Sequence, residues 1–186
     1  MVLSIIVFAL MLTDYFLTII GNRFKNKKYS EYFDFDYELN PLYQKDVEKN
    51  ILINFRQIIY SIIISFSVYL VALWGSENIV EFTSGALILH NIIIIARHIN
   101  NIIIYSNINT KESLVEGKIH LTRKYLLLTS KLNYLAYVLV FSVINIFSFS
   151  YFVFGGFVIS ILMFIIHNLW DFISRRSTIK SNDIGK

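Results

Sequence analysis

The residues of this chain that could do chemistry are few, and most stand where water should be absent. Asp14 interrupts an apolar run from Val2 to Ile20. His90, Asn91, Arg97, His98 and Asn101 punctuate an isoleucine-rich run, Asn145 sits within another, and His167 and Asp171 lie four apart near the end of the last. An ionisable side chain inside a spanning helix is costly. It ordinarily turns toward the bundle interior or a watery cavity, as a proton relay, a substrate contact or a paired structural charge. Imidazole and carboxylate also suit zinc or iron, so His98, His167 and Asp171, with Asp14, are the ligands to examine should a metal be held. The chain has no H-E-x-x-H and no histidine pair at ligand spacing, so no metal site is assigned. It has no Cys, which removes zinc ribbons, iron–sulfur clusters and thiol nucleophiles from consideration. No cofactor is expected.

At about 100° per residue these side chains gather on helix faces. His90, Asn91, Arg97, His98 and Asn101 share one face. Gly156, Ser160, His167 and Asp171 form a stripe in which His167–Asp171 is an i,i+4 pair. Gly156-x-x-x-Ser160 reads as a helix-packing patch, because small residues let backbones approach. The Asn and Ser stripes read as interhelical glue, and Arg56 and Lys131, near span ends, are expected to snorkel to the interface.

The elements that must position these groups follow from composition. The 186 residues are 55% hydrophobic and 16% charged, with 16 Phe, 12 Tyr and one Pro, and the mean hydropathy is +0.57. Soluble domains carry about 25% charged residues, so this chain has too few to cover a water-facing surface. Five runs approach or exceed the roughly 20 residues that span a bilayer core: 2–20, 51–74, 85–105, 126–147 and 154–173. The fold predicted is all-α, a polytopic membrane bundle of about five helices forming a single integral membrane domain over 1–186.

All 17 Lys and Arg fall within residues 22–57, 97–131 and 175–186. Basic residues collect on the cytoplasmic side of inserted helices. The N-terminus is therefore expected outside and the C-terminus inside, with cytoplasmic loops at 21–50 and 106–125. On that topology Asp14, Arg97, His98, Asn101, Lys131, His167 and Asp171 occupy the cytoplasmic half, and His90, Asn91 and Asn145 lie nearer the middle. The net charge of +4 is explained by anionic lipid at the inner face, with no nucleic acid partner.

Within the first basic loop, Phe33, Phe35, Tyr37 and Leu39 alternate with Asp34, Asp36 and Glu38, which suggests an interfacial segment with its rings in the headgroup region. In the second, Thr110 and Ser113 are possible starts of a short surface helix. Asp14-x-x-x-Thr18-x-x-Gly21, followed by Glu38-x-Asn40-Pro41, is similar to the opening of small uncharacterised prokaryotic multi-pass membrane proteins, over roughly the first quarter of the chain. That family has no activity to transfer. Asn40 would cap a helix beginning at Pro41.

The leading functional expectation is a small non-catalytic subunit or scaffold of a membrane assembly, partnered by other subunits or by copies of itself. A second is a transporter or proton-relay protein with a cytoplasm-facing polar vestibule. A third is a membrane enzyme acting on lipid or peptide at the cytoplasmic interface through His167 and Asp171. The bias to Ile, Asn, Lys, Phe and Tyr fits a prokaryotic cell membrane and equally an organelle-encoded inner-membrane subunit.

Overall fold

The computed structural model describes residues 1–28, 33–34, 40, 42–107, 119–120 and 123–183. Its elements run α1 (Val2–Lys28), β1 (Phe33–Asp34), α2 (Gln44–Glu48), α3 (Phe55–Trp74), α4 (Glu77–Asn107), β2 (Ile119–His120), α5 (Arg123–Phe147) and α6 (Tyr151–Asp183). Five of the helices, α1, α3, α4, α5 and α6, are long and apolar enough to cross a membrane. The protein is an integral membrane helix bundle.

The distribution of polarity makes the solvent plain. Phe147 is 86% exposed, Trp74 80% and Ile146 77%, whereas Ser61, Ser160 and His167 are buried. An interior more polar than the surface is the arrangement that hydrocarbon, not water, selects.

α4 packs along both α1 and α6, α5 packs along α6, and α3 packs chiefly along α1. Two turns are tight: only Gly75 and Ser76 separate α3 from α4, and residues 148–150 separate α5 from α6. α1, α4 and α6 therefore end where α3 and α5 begin. At that end the two-residue bridge Phe33–Asp34 pairs in parallel with Ile119–His120, joining the two basic loops.

Several boundaries differ from those the sequence suggests, each for a local reason. α3 starts at Phe55 rather than 51, because Asn50 adopts φ 53° and Asn54 caps the helix, its Oδ1 accepting the Arg56 and Gln57 amides. α4 starts at Glu77 rather than 85. The Val80 amide donates to the Ser76 carbonyl, and Glu77 meets the positive end of the helix dipole. The stretch read as an outer loop, 75–84, is thus mostly helix. α1 and α6 run past the apolar limits at 20 and 173, since helix need not stop where the bilayer does.

Asn40 turns the chain toward α2: its Oδ1 accepts the Leu42 amide and its carbonyl accepts those of Tyr43 and Gln44. Residues 35–39, Pro41 and 110–117, which carry the alternating strip, part of the Glu-x-Asn-Pro motif and the suggested surface helix, lie outside the described residues.

Two glycines set the closest approach of α4 and α6. A Cβ at Gly85 would overlap the Phe152 backbone, and one at Gly155 the backbone of Phe82 and Ala86. At Gly156 it would meet the side chains of Leu89 and Phe141. Gly85→Ala and Gly155→Ala should each destabilise the bundle by about 1–3 kcal/mol through overpacking, and Gly156→Ala by less, because side chains yield where backbone does not. Unfolding titrations in mixed micelles would check the order.

Candidate functional site

Between α1 and α3 on one side and α5 on the other, with α4 and α6 beneath, lies a cavity of about 960 Å³. Its lining runs over Met11–Thr18 of α1, Gln57–Ile64 of α3, Leu87–Ile104 of α4, Tyr125–Tyr134 of α5 and Met163–Trp170 of α6, together with Asn40, Leu42 and Tyr43. The α3 and α5 stretches belong to the half of their helix nearest the basic loops, and those of α1, α4 and α6 reach from mid-helix toward that end.

Seven of the residues singled out in the sequence line this one cavity: Asp14, His90, Asn91, Arg97, His98, Asn101 and His167. Asp171 and Asn145 do not, and Gly156 and Ser160 belong to helix contacts. The Ser160 hydroxyl donates to the Gly156 carbonyl and is buried.

The α1 wall carries a triad of contacts. The Thr18 hydroxyl donates to the Asp14 carbonyl oxygen at 2.9 Å, so its 3.0 Å contact with His98 Nε2 assigns the proton there to the imidazole. The same Nε2 is 3.2 Å from Asp14 Oδ1. Asp14 and Thr18, one turn apart in α1, thus clasp the same ring of α4. The geometry with the carboxylate is poor, however, and Asp14 Oδ1 is buried with no hydrogen-bond partner among the described residues.

On the opposite wall Arg97 donates from Nη1 to the Ser130 hydroxyl of α5 at 2.9 Å. Among the described residues its guanidinium has no carboxylate partner. The floor is aromatic: His90 stacks on Tyr134 at 6.2 Å, Tyr134 lies 5.1 Å from His167, and His167 5.0 Å from Trp170. His167 Nδ1 donates to the Met163 carbonyl at 2.8 Å, which leaves Nε2 as an acceptor. His90 Nδ1 is buried without a partner among the described residues.

Three expectations are corrected here. Lys131 does not snorkel; Nζ lies 3.0 Å from Asp171 Oδ2, with side chains 12% and 9% exposed, tying α5 to α6. Asp171 is therefore held across helices by Lys131, and His167 by a backbone carbonyl. The Asn and Ser stripes are only partly glue. Asn91, Asn145, Ser142 and Ser160 donate to carbonyls one turn back in their own helix. Gln57 does reach across, to the Met11 carbonyl of α1.

Among the described residues no group of three or more His, Asp or Glu side chains gathers as a metal would require. His98 and Asp171 are directed to separate partners. Ser130, Asn133, Tyr134 and Trp170 also line the cavity. Tyr134, three residues after Lys131 on the same face of α5, is readable from the sequence; Ser130 carries no signal, since a lone serine in an apolar helix is ordinarily bonded to its own backbone.

No family model, curated protein or solved structure matches the chain. The resemblance in α1 therefore rests on its residues alone, and their observed role is to seat His98.

The Lys131–Asp171 pair yields a test of its structural role. Asp171→Asn should cost about 3–5 kcal/mol by stranding a buried ammonium. The double variant Lys131→Met with Asp171→Leu should recover most of that loss. Unfolding midpoints of both variants against the parent protein would decide.

Proposed function

We propose that this protein binds a ligand bearing an anionic group in a cytoplasm-facing polar vestibule, as a carrier or binding protein of the cell membrane. The observation that carries this is Arg97: a guanidinium in the half of a spanning helix nearest the basic loops, on the wall of a cavity of about 960 Å³, bonded to one neutral hydroxyl. Guanidinium is the side chain best shaped to take a phosphate or carboxylate through two parallel hydrogen bonds. A cavity of that size lies at the upper end of the roughly 300–1,000 Å³ usual for small-molecule sites.

The scaffold reading accounts for Lys131–Asp171, whose charges satisfy each other, and leaves the vestibule unexplained. The enzymatic reading needs His167 and Asp171 to face one substrate, and Asp171 lies off the cavity. The orientation is inferred from the basic residues, which all fall within residues 22–57, 97–131 and 175–186 of the sequence.

The absence of Cys makes single-cysteine labelling clean. Asn101→Cys, one turn from Arg97, should react with a membrane-impermeant anionic methanethiosulfonate in inverted vesicles and be protected in intact cells. Its preference for the anionic over the cationic reagent should disappear when Arg97→Gln is added. Protection from both sides would mean a sealed structural network and would return the scaffold reading to first place.

A further inference from the structure

We infer that the occupant of this vestibule is a membrane phospholipid of the phosphodiester class, entering sideways from the bilayer between α3 and α5 with its phosphate brought to Arg97. This rests on the anion-binding reading of the same cavity and names its ligand. Three observations carry it.

The first is the gap. α5 packs on α6, and α3 on α1 and α4, but α5 has no extensive packing with α1 or α3. Tyr60 and Ile64 of α3 and Thr129 and Asn133 of α5 all line the cavity, and α2, the one short described helix, packs on α1. A solute arriving only from water would not need such a slot, whereas a lipid can leave its chains in the hydrocarbon and slide its head group in.

The second is Asn133. It is exposed on a spanning helix and lines the cavity, and its amide has no hydrogen-bond partner among the described residues. Other exposed polar side chains on the spanning helices, such as Thr13, Ser67 and Asn168, donate to their own helix. An amide that does not is suited to a passage through which polar groups move. It lies one turn from Ser130, the residue that holds Arg97.

The third is the match of depth and charge. Arg97 is two turns from Ile104, where the apolar span of α4 ends, or about 10 Å at 1.5 Å per residue. That is shallow enough for a head group to reach while its chains remain among lipid, and the deep end of the cavity is apolar, with Met11, Ile64 and Leu87. A phosphodiester carries one negative charge, which one guanidinium neutralises. A phosphomonoester dianion would set a second negative charge in a cavity that already contains Asp14. The carboxylate oxygen Asp14 Oδ1, buried without a hydrogen-bond partner among the described residues, favours a head group that also carries hydroxyl donors.

The test compares one head group with and without chains. Native mass spectrometry of the full chain in a neutral maltoside detergent would be titrated with phosphatidylglycerol and, separately, with water-soluble glycerophosphoglycerol. Phosphatidylglycerol should bind at a defined stoichiometry, and Arg97→Gln should weaken it about tenfold or more, the scale of one charge-assisted hydrogen bond. Asn133→Trp, which narrows the slot from an exposed position, should slow or weaken lipid binding and leave glycerophosphoglycerol unaffected. It keeps the question open to refutation if Arg97→Gln does not fold. Glycerophosphoglycerol bound in an Arg97-dependent way without lipid binding would overturn the lipid inference and leave the anion site standing. Lipid binding insensitive to both substitutions would be annular and would overturn the inference. Arg97-independent behaviour of both probes would overturn the inference and the anion-binding reading together.

Discussion

Hydrocarbon offers no hydrogen bonds, and the architecture of this chain follows from that single constraint. A polar group left facing lipid costs far more than the same group on a water-soluble surface. The bundle answers in three ways. Hydroxyls and amides on outward faces, such as Thr13, Ser67 and Asn168, fold back on the carbonyl one turn earlier. Full charges are drawn inward, and Lys131 and Asp171 neutralise each other between α5 and α6. What remains, around Arg97, Asp14 and His90, borders a single void.

That void is a consequence of how the helices meet. Near the tight turns, glycines at 85 and 155 let α4 and α6 touch backbone to backbone. Toward the basic loops the same helices carry His90, Arg97, His98, His167 and Trp170, with Tyr134 of α5 inserted over His90 and His167. Small residues at one end and rings at the other hold the bundle closed on the first side and spread on the second. α2 and the turn at Asn50 fix the rim. Asn22 donates to the Val47 carbonyl and to Asn50 Oδ1, and Tyr15 donates to the Ile51 carbonyl, locking α1 to the entry of α3.

Run length and charge made the helical bundle and its spans legible in the sequence, because a bilayer imposes length on any helix that crosses it. Helix ends were less legible. They are decided by Asn54 and Asn50 on one side and by Glu77 on the other, and a capping asparagine looks like any other polar residue until its bonds are seen. Wheel faces grouped His90, Asn91, Arg97, His98 and Asn101 on one helix and set His167 on the stripe of another, and these share a cavity with Asp14, because a face is a local property of one helix. Pairing was not legible. Whether Asp171 meets His167, four residues back, or Lys131, on another helix, depends on how helices rotate against each other, which no single-helix pattern contains.

The contrast between Lys131 and Arg97 separates a structural charge from an unspent one. Both are cations in the half of the bundle nearest the basic loops. Lys131 has a carboxylate at 3.0 Å. The one carboxylate lining the cavity, Asp14, sits against His98, the residue next to Arg97 on α4. Adjacent positions on a helix point about 100° apart, so α4 turns His98 toward α1 and Arg97 toward α5. Rotation of α4 could not bring Arg97 to Asp14 without withdrawing His98 from Thr18 and breaking the contact with Ser130. The backbone geometry of one helix therefore keeps the two opposite charges of the cavity on opposite walls, and a guanidinium held away from the nearest carboxylate is a guanidinium free to receive an anion from outside the chain.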